Sequence, residues 1–333
     1  MNDRATFYTR YPWLKPHANP ELLVMGDDLD AALSTALFLH QHPAARLVGL
    51  YSRYTQVLYA ESLTRDELLG ALWLDLDIYH PRCRSLGHHI VRLSLQDRLP
   101  GFATSCNLNE VCGKFMGNFR QKYPLGTIHF LMWLYGVEIP ALPHADLLIW
   151  LADSAYINAQ ARSHRRNYRG SGNATWQERD GFRWNVSRWL HTALPLDSLL
   201  ASFETLDTPA FEERMEAFQQ VMEAQGFRQG YGQVASHYRK LSGYQCQPQG
   251  QPARYTHRLL EFVAQQTGWS FEPGQIAPLA GRLKVKTGQR RRETVENARR
   301  EGLDAFLQRR GIFSYVFQSA RVMNYTQFGT RDS

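Results

Sequence analysis

A short apolar run, Leu22-Leu23-Val24-Met25, gives way within two residues to Asp27, Asp28 and Asp30, and a helix of small residues (Ala31, Ala32, Ser34, Thr35, Ala36) begins at once. This junction constrains the fold more than any other feature. An unbroken apolar run of this length reads as a short buried strand. A helix starting directly at its end gives the first half of a strand–helix–strand unit. The acidic turn then has two physical readings. An aspartate before a helix caps its free N–H groups and suits the positive end of its dipole. Carboxylates crowded at a strand end also repel one another. They stay anionic together mainly when a cation sits among them, usually a divalent metal.

The alternation continues along the first half. Residues 45–52 read as a second strand and 64–72 as a helix, with Thr64 as N-cap and Asp66 and Glu67 in the first turn. Residues 73–78 read as a third strand. Residues 87–93 and 109–119 suit helix or strand equally. Thr127–Tyr135 reads as a strongly apolar helix, and 145–151 as another apolar element ending at Asp153. This pattern predicts an α/β domain over residues 1–161 with a doubly wound parallel sheet, whose site lies at the carboxyl ends of the strands. Residues 162–176 are polar, basic and glycine-bearing, and read as a linker or an active-site loop. Residues 177–333 are expected to form a second, mainly helical C-terminal domain that binds substrate or a partner. Its helices are expected at 186–192, 198–205, 209–223, 255–267 and 294–309, with a strand-like run at 312–322.

Several function classes are disfavoured. No stretch of 18 apolar residues occurs, so no membrane span is expected, and the first residues do not resemble a signal peptide. The four cysteines (Cys83, Cys106, Cys112, Cys246) form no CxxC pair, so neither a zinc knuckle nor a disulfide framework is indicated, and a cytoplasmic location is expected. No GxxxxGK[ST] or suitably placed GxGxxG is present. The net charge of +7 is concentrated: residues 282–310 hold ten Lys/Arg against four Asp/Glu. Such a block suits a phosphate-bearing partner. It also suits a solvated helix with ion pairs such as Arg292–Glu296 and Glu296–Arg300. Tyr168, Trp176, Trp184 and Tyr231 stand near basic residues, a combination that permits base stacking and that also serves ordinary packing.

Three further features join the first aspartate cluster. Trp73-Leu74-Asp75-Leu76-Asp77 ends a strand in two carboxylates. Gly87-His88-His89 comes after a turn. Leu148-Ile149-Trp150-Leu151-Ala152-Asp153 ends an apolar run in a lone aspartate. All four features fall where strand-to-helix turns are expected, and a parallel sheet converges such turns on one edge. Mixed Asp/His ligation suits Mn²⁺, or Mg²⁺ if oxygens dominate.

The order of these features resembles the DHH phosphoesterase superfamily, in its RecJ-like and nanoRNase-like branches, over about residues 20–160. Asp28-x-Asp30 followed by Ser34-Thr35-Ala36-Leu37 is similar to that family's first motif. Asp75 or Asp77 is similar to the second, Gly87-His88-His89 to the third (Asp-His-His in the family), and Asp153-Ser154 to the fourth. The resemblance implies two divalent metals, Mn²⁺ preferred or Mg²⁺. Asp28 would ligate the first and Asp30 the second. Asp77 or Asp75 would bridge them, and His88 and Asp153 would complete the second site. His89 would contact the scissile phosphate or its leaving oxygen. The sequence departs from the pattern at Gly87, where the family has an orienting Asp. It departs again at Gly26 and Val24, where the family has a further first-metal ligand, for which Asp27 and His80 are the nearest substitutes. Motifs two and three are also only about ten residues apart.

The implied function is hydrolysis of a phosphodiester in a nucleotide, short oligonucleotide or single-stranded nucleic acid by a two-metal-activated water. Arg290, Arg291, Arg292, Arg309 and Arg310 are the candidates for holding phosphate. A catalytically degenerate protein that binds nucleic acid or a protein as a subunit is the alternative. A phosphate-releasing enzyme acting on a small metabolite is a third reading. A homodimer or a place in a larger complex is compatible with the first two.

Overall fold

Short apolar runs make the centre of the molecule. The computed structural model describes residues 3–16, 21–52, 55–153, 155–159, 176–227 and 252–328. The strands are β1 (Leu22–Met25), β2 (Arg46–Ser52), β3 (Gln56–Ala60), β4 (Leu72–Leu74), β5 (Arg84–Gly87), β6 (Cys106–Asn107), β7 (Leu283–Thr287), β8 (Gln289–Thr294), β9 (Ile312–Phe317) and β10 (Val322–Gln327). The first seven form one sheet in the order β6-β5-β4-β1-β2-β3-β7. Strands β2, β1, β4, β5 and β6 run parallel; at one edge β3 pairs antiparallel with β2, and β7 pairs antiparallel with β3. The chain leaves β1 for β2 on one side and later returns to β4 on the other. The ends of β1 and β4 therefore flank the point where the strand order reverses, which is where open α/β sheets open a crevice.

Side-chain alternation divides the sheet between two layers. Leu23 and Met25 of β1 enter the main core, whereas Val24 enters a smaller cluster on the other side. The main core takes in helix Leu29–Gln41, whose first eleven residues are all buried, and the apolar helix Thr127–Tyr135. Helices Ala145–Trp150, Trp176–Thr192, Asp197–Thr205, Pro209–Ala224 and Pro252–Thr267 add residues to the same core. Contacts cross the expected boundary directly: Tyr123 meets Trp189 edge-on with ring centroids 5.2 Å apart, and Trp150 Nε1 donates to Ser202 Oγ at 2.8 Å. The helices of 176–267 thus complete the helical layer of the α/β domain, in place of the separate helical domain read from the sequence. Their buried apolar residues, among the described ones, fall in the same cluster as the sheet's main core. Of the expected linker, 162–175 lie outside the described residues, as do Ser154, Tyr168 and Tyr231.

The smaller unit is built from the basic block. Strands β8, β10 and β9 form an antiparallel sheet in that order, flanked by helices Val295–Glu301 and Leu303–Arg309. Its core includes Phe306, Leu307, Tyr315 and Met323, together with Tyr79, Ile90, Val91 and Phe102 from the first half. Tyr315 donates its hydroxyl to the Val91 carbonyl at 2.6 Å, Tyr79 N donates to the Phe313 carbonyl at 2.7 Å, and Ile78 bridges to Ser314. These ties seat the small sheet across the carboxyl ends of the parallel strands.

Three local expectations change. Residues 289–294 form a strand, so Arg292 and Glu296 do not share a helix; Glu296 pairs instead with Arg299 at 3.7 Å. The helix expected over 294–309 breaks at Gly302, whose φ of 82° is left-handed. Residues 145–150 are a helix, so Asp153 lies past a helix end and not a strand end. A short run buried on all sides has no period to tell the two apart. Among the described residues, no helix is long and apolar enough to cross a membrane.

Candidate metal centre

Neighbouring strand ends bring the acidic residues together. Asp28 caps helix Leu29–Gln41, its Oδ1 accepting from Ala31 N at 2.9 Å. The cap and the cluster therefore use the same residue. Asp30, only 1% exposed, turns into the interior from the first turn. It accepts from Thr127 N at 2.7 Å and Ile128 N at 2.9 Å, so the positive end of helix Thr127–Tyr135 rests on its carboxylate. The fit depends on Gly126, where a Cβ would lie 2.5–2.8 Å from the Asp30 carboxyl atoms.

His88, after β5, is the centre of the cluster. Its Nδ1 lies 3.0 Å from Thr127 Oγ1 and 3.3 Å from Asp75 Oδ1, and its Nε2 lies 3.5 Å from Asp153 Oδ2. Thr127 Oγ1 donates to Asp75 Oδ1 at 2.7 Å, so its oxygen is left to accept from His88 Nδ1–H. In the neutral ring the buried Nε2 then carries the lone pair, and it makes no hydrogen bond among the described residues, its nearest charged group being Asp153. Asn109 holds the backbone here, donating to the His88 carbonyl and accepting from Tyr123 N.

The backbone is bent at this site in a way found nowhere else among the described residues. Asp75 (φ 57°) and Asp153 (φ 48°) are the two non-glycine residues with left-handed φ, and both face His88. Left-handed backbone in residues other than glycine concentrates at functional sites, where the surroundings must hold it.

The electrostatics agree. Burial and the neighbouring carboxylates Asp30, Asp27 and Asp153 push Asp28 up to about 7. Burial, Asp28 repulsion and partial relief by His88 leave Asp75 at about 6. Burial and Asp75 hold Asp30 well above the usual carboxylate range. For His88, burial pulls its pKa down, but the Asp153 and Asp75 carboxylates outweigh it and raise it. Asp153 goes the opposite way: burial is overcome by His88, His89 and Lys122, and its carboxyl falls below the usual range. Asp30, Asp75 and Asp153 thus compete for one imidazole, and Asp28 is repelled by its carboxylate neighbours. Ligand atoms of Asp30, Asp75 and His88 all lie within 4.8 Å of one another. That spacing, the donor set of oxygens plus one imidazole, and the orphaned His88 Nε2 fit a divalent cation.

The sequence left Asp75 and Asp77 as alternatives, and their side chains go to different places. Asp75 joins the cluster. Asp77 turns away, accepting from His89 Nδ1 at 3.0 Å, His89 N at 3.2 Å and Asn107 Nδ2 at 2.6 Å. Asp27 faces the cleft and accepts from Ser52 Oγ at 3.2 Å, whereas His80 lies away from it beside Phe313.

A cavity of about 490 Å³ lies between this floor and the small sheet. Asp27, Asp28, Asp75, Asp77, His88, His89 and Asp153 line the floor, and Arg290, Ser314, Asn324 and Thr326 line the ceiling. Tyr51 adds a hydroxyl 2.7 Å from Ser314 Oγ. Of the five arginines expected to hold phosphate, only Arg290 lines the cavity. Arg291, next along β8, bonds Gln289 at 2.6 Å, and Arg292 is exposed outside the lining. Arg309 is paired with Glu301 at 2.6 Å. Arg310 is paired with Glu293 at 3.1 Å and lies over the Phe306 ring. Both serve the small unit's own structure. Trp184 is exposed and stacked by Arg188, also away from the cleft. Thr127, Gly126, Asn107 and Asn109 hold the site without having been legible in the sequence. The apolar run after Gly126 hid Thr127 as an ordinary first-turn residue.

No protein-family model matches the chain, and no curated protein or solved structure matches it. Fold and site together define an α/β protein with an acidic, histidine-centred cleft at the switch point of its sheet, closed by a small antiparallel unit.

Proposed function

We propose that the protein hydrolyses a phosphodiester in a nucleotide or short oligonucleotide, using divalent cations held by Asp28, Asp30, Asp75, His88 and Asp153. The observation that carries this reading is the cluster of four repelling carboxylates around His88, with an orphaned Nε2 and two left-handed aspartates, facing a cavity whose opposite wall carries Arg290. Bound there, divalent cations would lower the pKa of a water and neutralise charge growing on the phosphoryl oxygens.

The chain's own residues supply the rest. Arg290 gives a cation suited to a phosphate oxygen pair. Ser314, Thr326, Asn324 and the Tyr51 hydroxyl give donors and acceptors for a sugar or base. His89, half exposed at the cavity wall, has Nδ1 occupied by Asp77 and keeps Nε2 for the substrate. From there it can hold a proton near the oxygen that departs when the P–O ester bond breaks. The cavity volume lies in the range of small-ligand sites. The resemblance of the aspartate and histidine motifs to the DHH phosphoesterases supports the same chemistry.

The test is Mn²⁺-dependent hydrolysis by wild type and Asp30→Ala side by side, on dinucleotides, cyclic dinucleotides, short single strands and bis-p-nitrophenyl phosphate. Turnover by wild type alone is expected. No turnover by either, with tight salt-dependent binding of single strands, would replace this reading with that of a binding module.

A further inference from the structure

Three adjacent strand ends each supply one part of a small unit beside the cluster. After β4, Asp77 Oδ2 accepts from both the ring Nδ1 and the backbone N of His89. From β6, Asn107 Nδ2 donates to Asp77 Oδ1 at 2.6 Å and to the His89 carbonyl at 2.9 Å. At the end of β5, Gly87 supplies room. A Cβ at this position would lie 2.1 Å from Asp77 Oδ1, 2.5 Å from its Cγ and 2.8 Å from its Oδ2. Gly87 is not among the residues with left-handed φ, so its backbone would accept a side chain. What excludes one is the Asp77 carboxyl group, which already fills the space where it would go.

We infer that Asp77 is a positioning residue that holds the His89 imidazole with Nδ1 protonated and Nε2 left for the cleft, and that residue 87 is glycine because the Asp77 carboxylate occupies its side-chain volume. In this chain the carboxylate beside His89 comes from position 77. The consequence for turnover rests on the hydrolytic reading above; the geometry does not. A tautomer fixed in advance spares the site from selecting one when substrate binds.

The experiment uses four variants of the full chain: Asp77→Ala, Gly87→Ala, Asp77→Ala/Gly87→Ala and Asp77→Ala/Gly87→Asp. The His89 tautomer is read from imidazole ¹⁵N shifts of metal-free protein, assigned by His89→Gln, and turnover is read on the best substrate. Asp77→Ala is expected to lose the Nδ1–H form and to lower turnover about 10–100-fold, the usual scale for a group that orients another. Gly87→Ala is expected to do the same while removing no polar group, because its methyl displaces the carboxylate. The paired alanines should be no worse than either alone, since the methyl enters vacated space. Asp77→Ala/Gly87→Asp should recover the Nδ1–H form and most of the turnover.

Additive losses in the alanine pair would overturn the inference. So would an unchanged tautomer in Asp77→Ala, or no recovery in a Gly87→Asp combination that melts like its parent. If that combination fails to fold, the alanine pair decides alone. If wild type hydrolyses nothing, the hydrolytic reading falls, and the tautomer measurements still judge the placement of Asp77.

Discussion

The floor and the ceiling of the cleft carry opposite charge and are built on opposite plans. On the floor nearly every charged side chain faces inward. Asp28, Asp30, Asp75, His88 and Asp153 come from four places in the chain and converge because neighbouring strand and helix ends do. On the ceiling a dense run of arginines converges on nothing. The pleat of β8 sends Arg290 toward the cavity and Arg291 the other way, while Arg309 and Arg310 are committed to Glu301 and Glu293. Charge density along a sequence therefore says little about charge density at a site. The geometry of the element that carries the charges decides it.

Substitutions can break this contrast, beginning with the largest effect. His88→Ala on the floor is expected to lower Mn²⁺-dependent turnover about 10³-fold or more, as loss of several kcal/mol of cation-dependent stabilisation implies. It should also abolish the rise in melting temperature on adding Mn²⁺. A variant that keeps that rise places the cation elsewhere.

Next, Arg290→Ala should lower kcat/KM about 10–100-fold, the worth of one charge-assisted hydrogen bond to phosphate. Arg309→Ala should leave it within about twofold, as for a surface pair outside the cavity. Equal losses from the two would mean that the whole basic block touches substrate.

A smaller effect is expected from Arg310→Ala, seen in urea unfolding and not in turnover. About 1–2 kcal/mol should be lost, because Glu293 loses its partner and Phe306 its stacked guanidinium.

The smallest effect concerns pH. Asp28 and Asp75 have folded values of about 7 and about 6, above those of an unfolded aspartate. Between roughly pH 4 and 7 the folded state therefore binds more protons, and metal-free stability should fall as pH rises. His88, also raised, acts in the same direction, its contribution fading as pH climbs through its folded value. Asp153, lowered, is fully ionised throughout this window. The metal-free protein should melt on the order of a few degrees higher at pH 5 than at pH 8. Mn²⁺ should reverse that order, since it replaces the protons. A melting temperature that rises with pH in the absence of metal would show that the carboxylates are not held against one another.

The same contrast explains how much could be read from the sequence. Strand β1, helix Leu29–Gln41 and the N-cap at Thr64 obey local rules, and each formed where those rules put it. Asp28 and Asp30 were legible because a strand end leading into a helix start fixes where a side chain points. Asp75 and Asp77 could not be told apart, because the left-handed turn at Asp75 re-aims the residues after it and leaves no mark in composition. Thr127 and Asn107 were illegible because their roles exist only across the sheet. The ceiling failed for a different reason. Arg292 and Glu296 sit four apart, which suits helix pairing, but pairing with β10 imposed a period of two. The helices of 176–267 were found and their allegiance was missed. An amphipathic helix shows that it needs a core, not whose core it will join.

The two left-handed aspartates carry a consequence for the history of the chain. Glycine at position 75 would relieve the backbone strain and part of the carboxylate repulsion in one step, whereas at position 153 it would relieve the strain but remove the carboxylate that faces His88. A lineage selected only to stay folded would drift toward such changes first. Both aspartates sit where the chain works against its own backbone preference, as side chains kept for a cleft and not for the fold would.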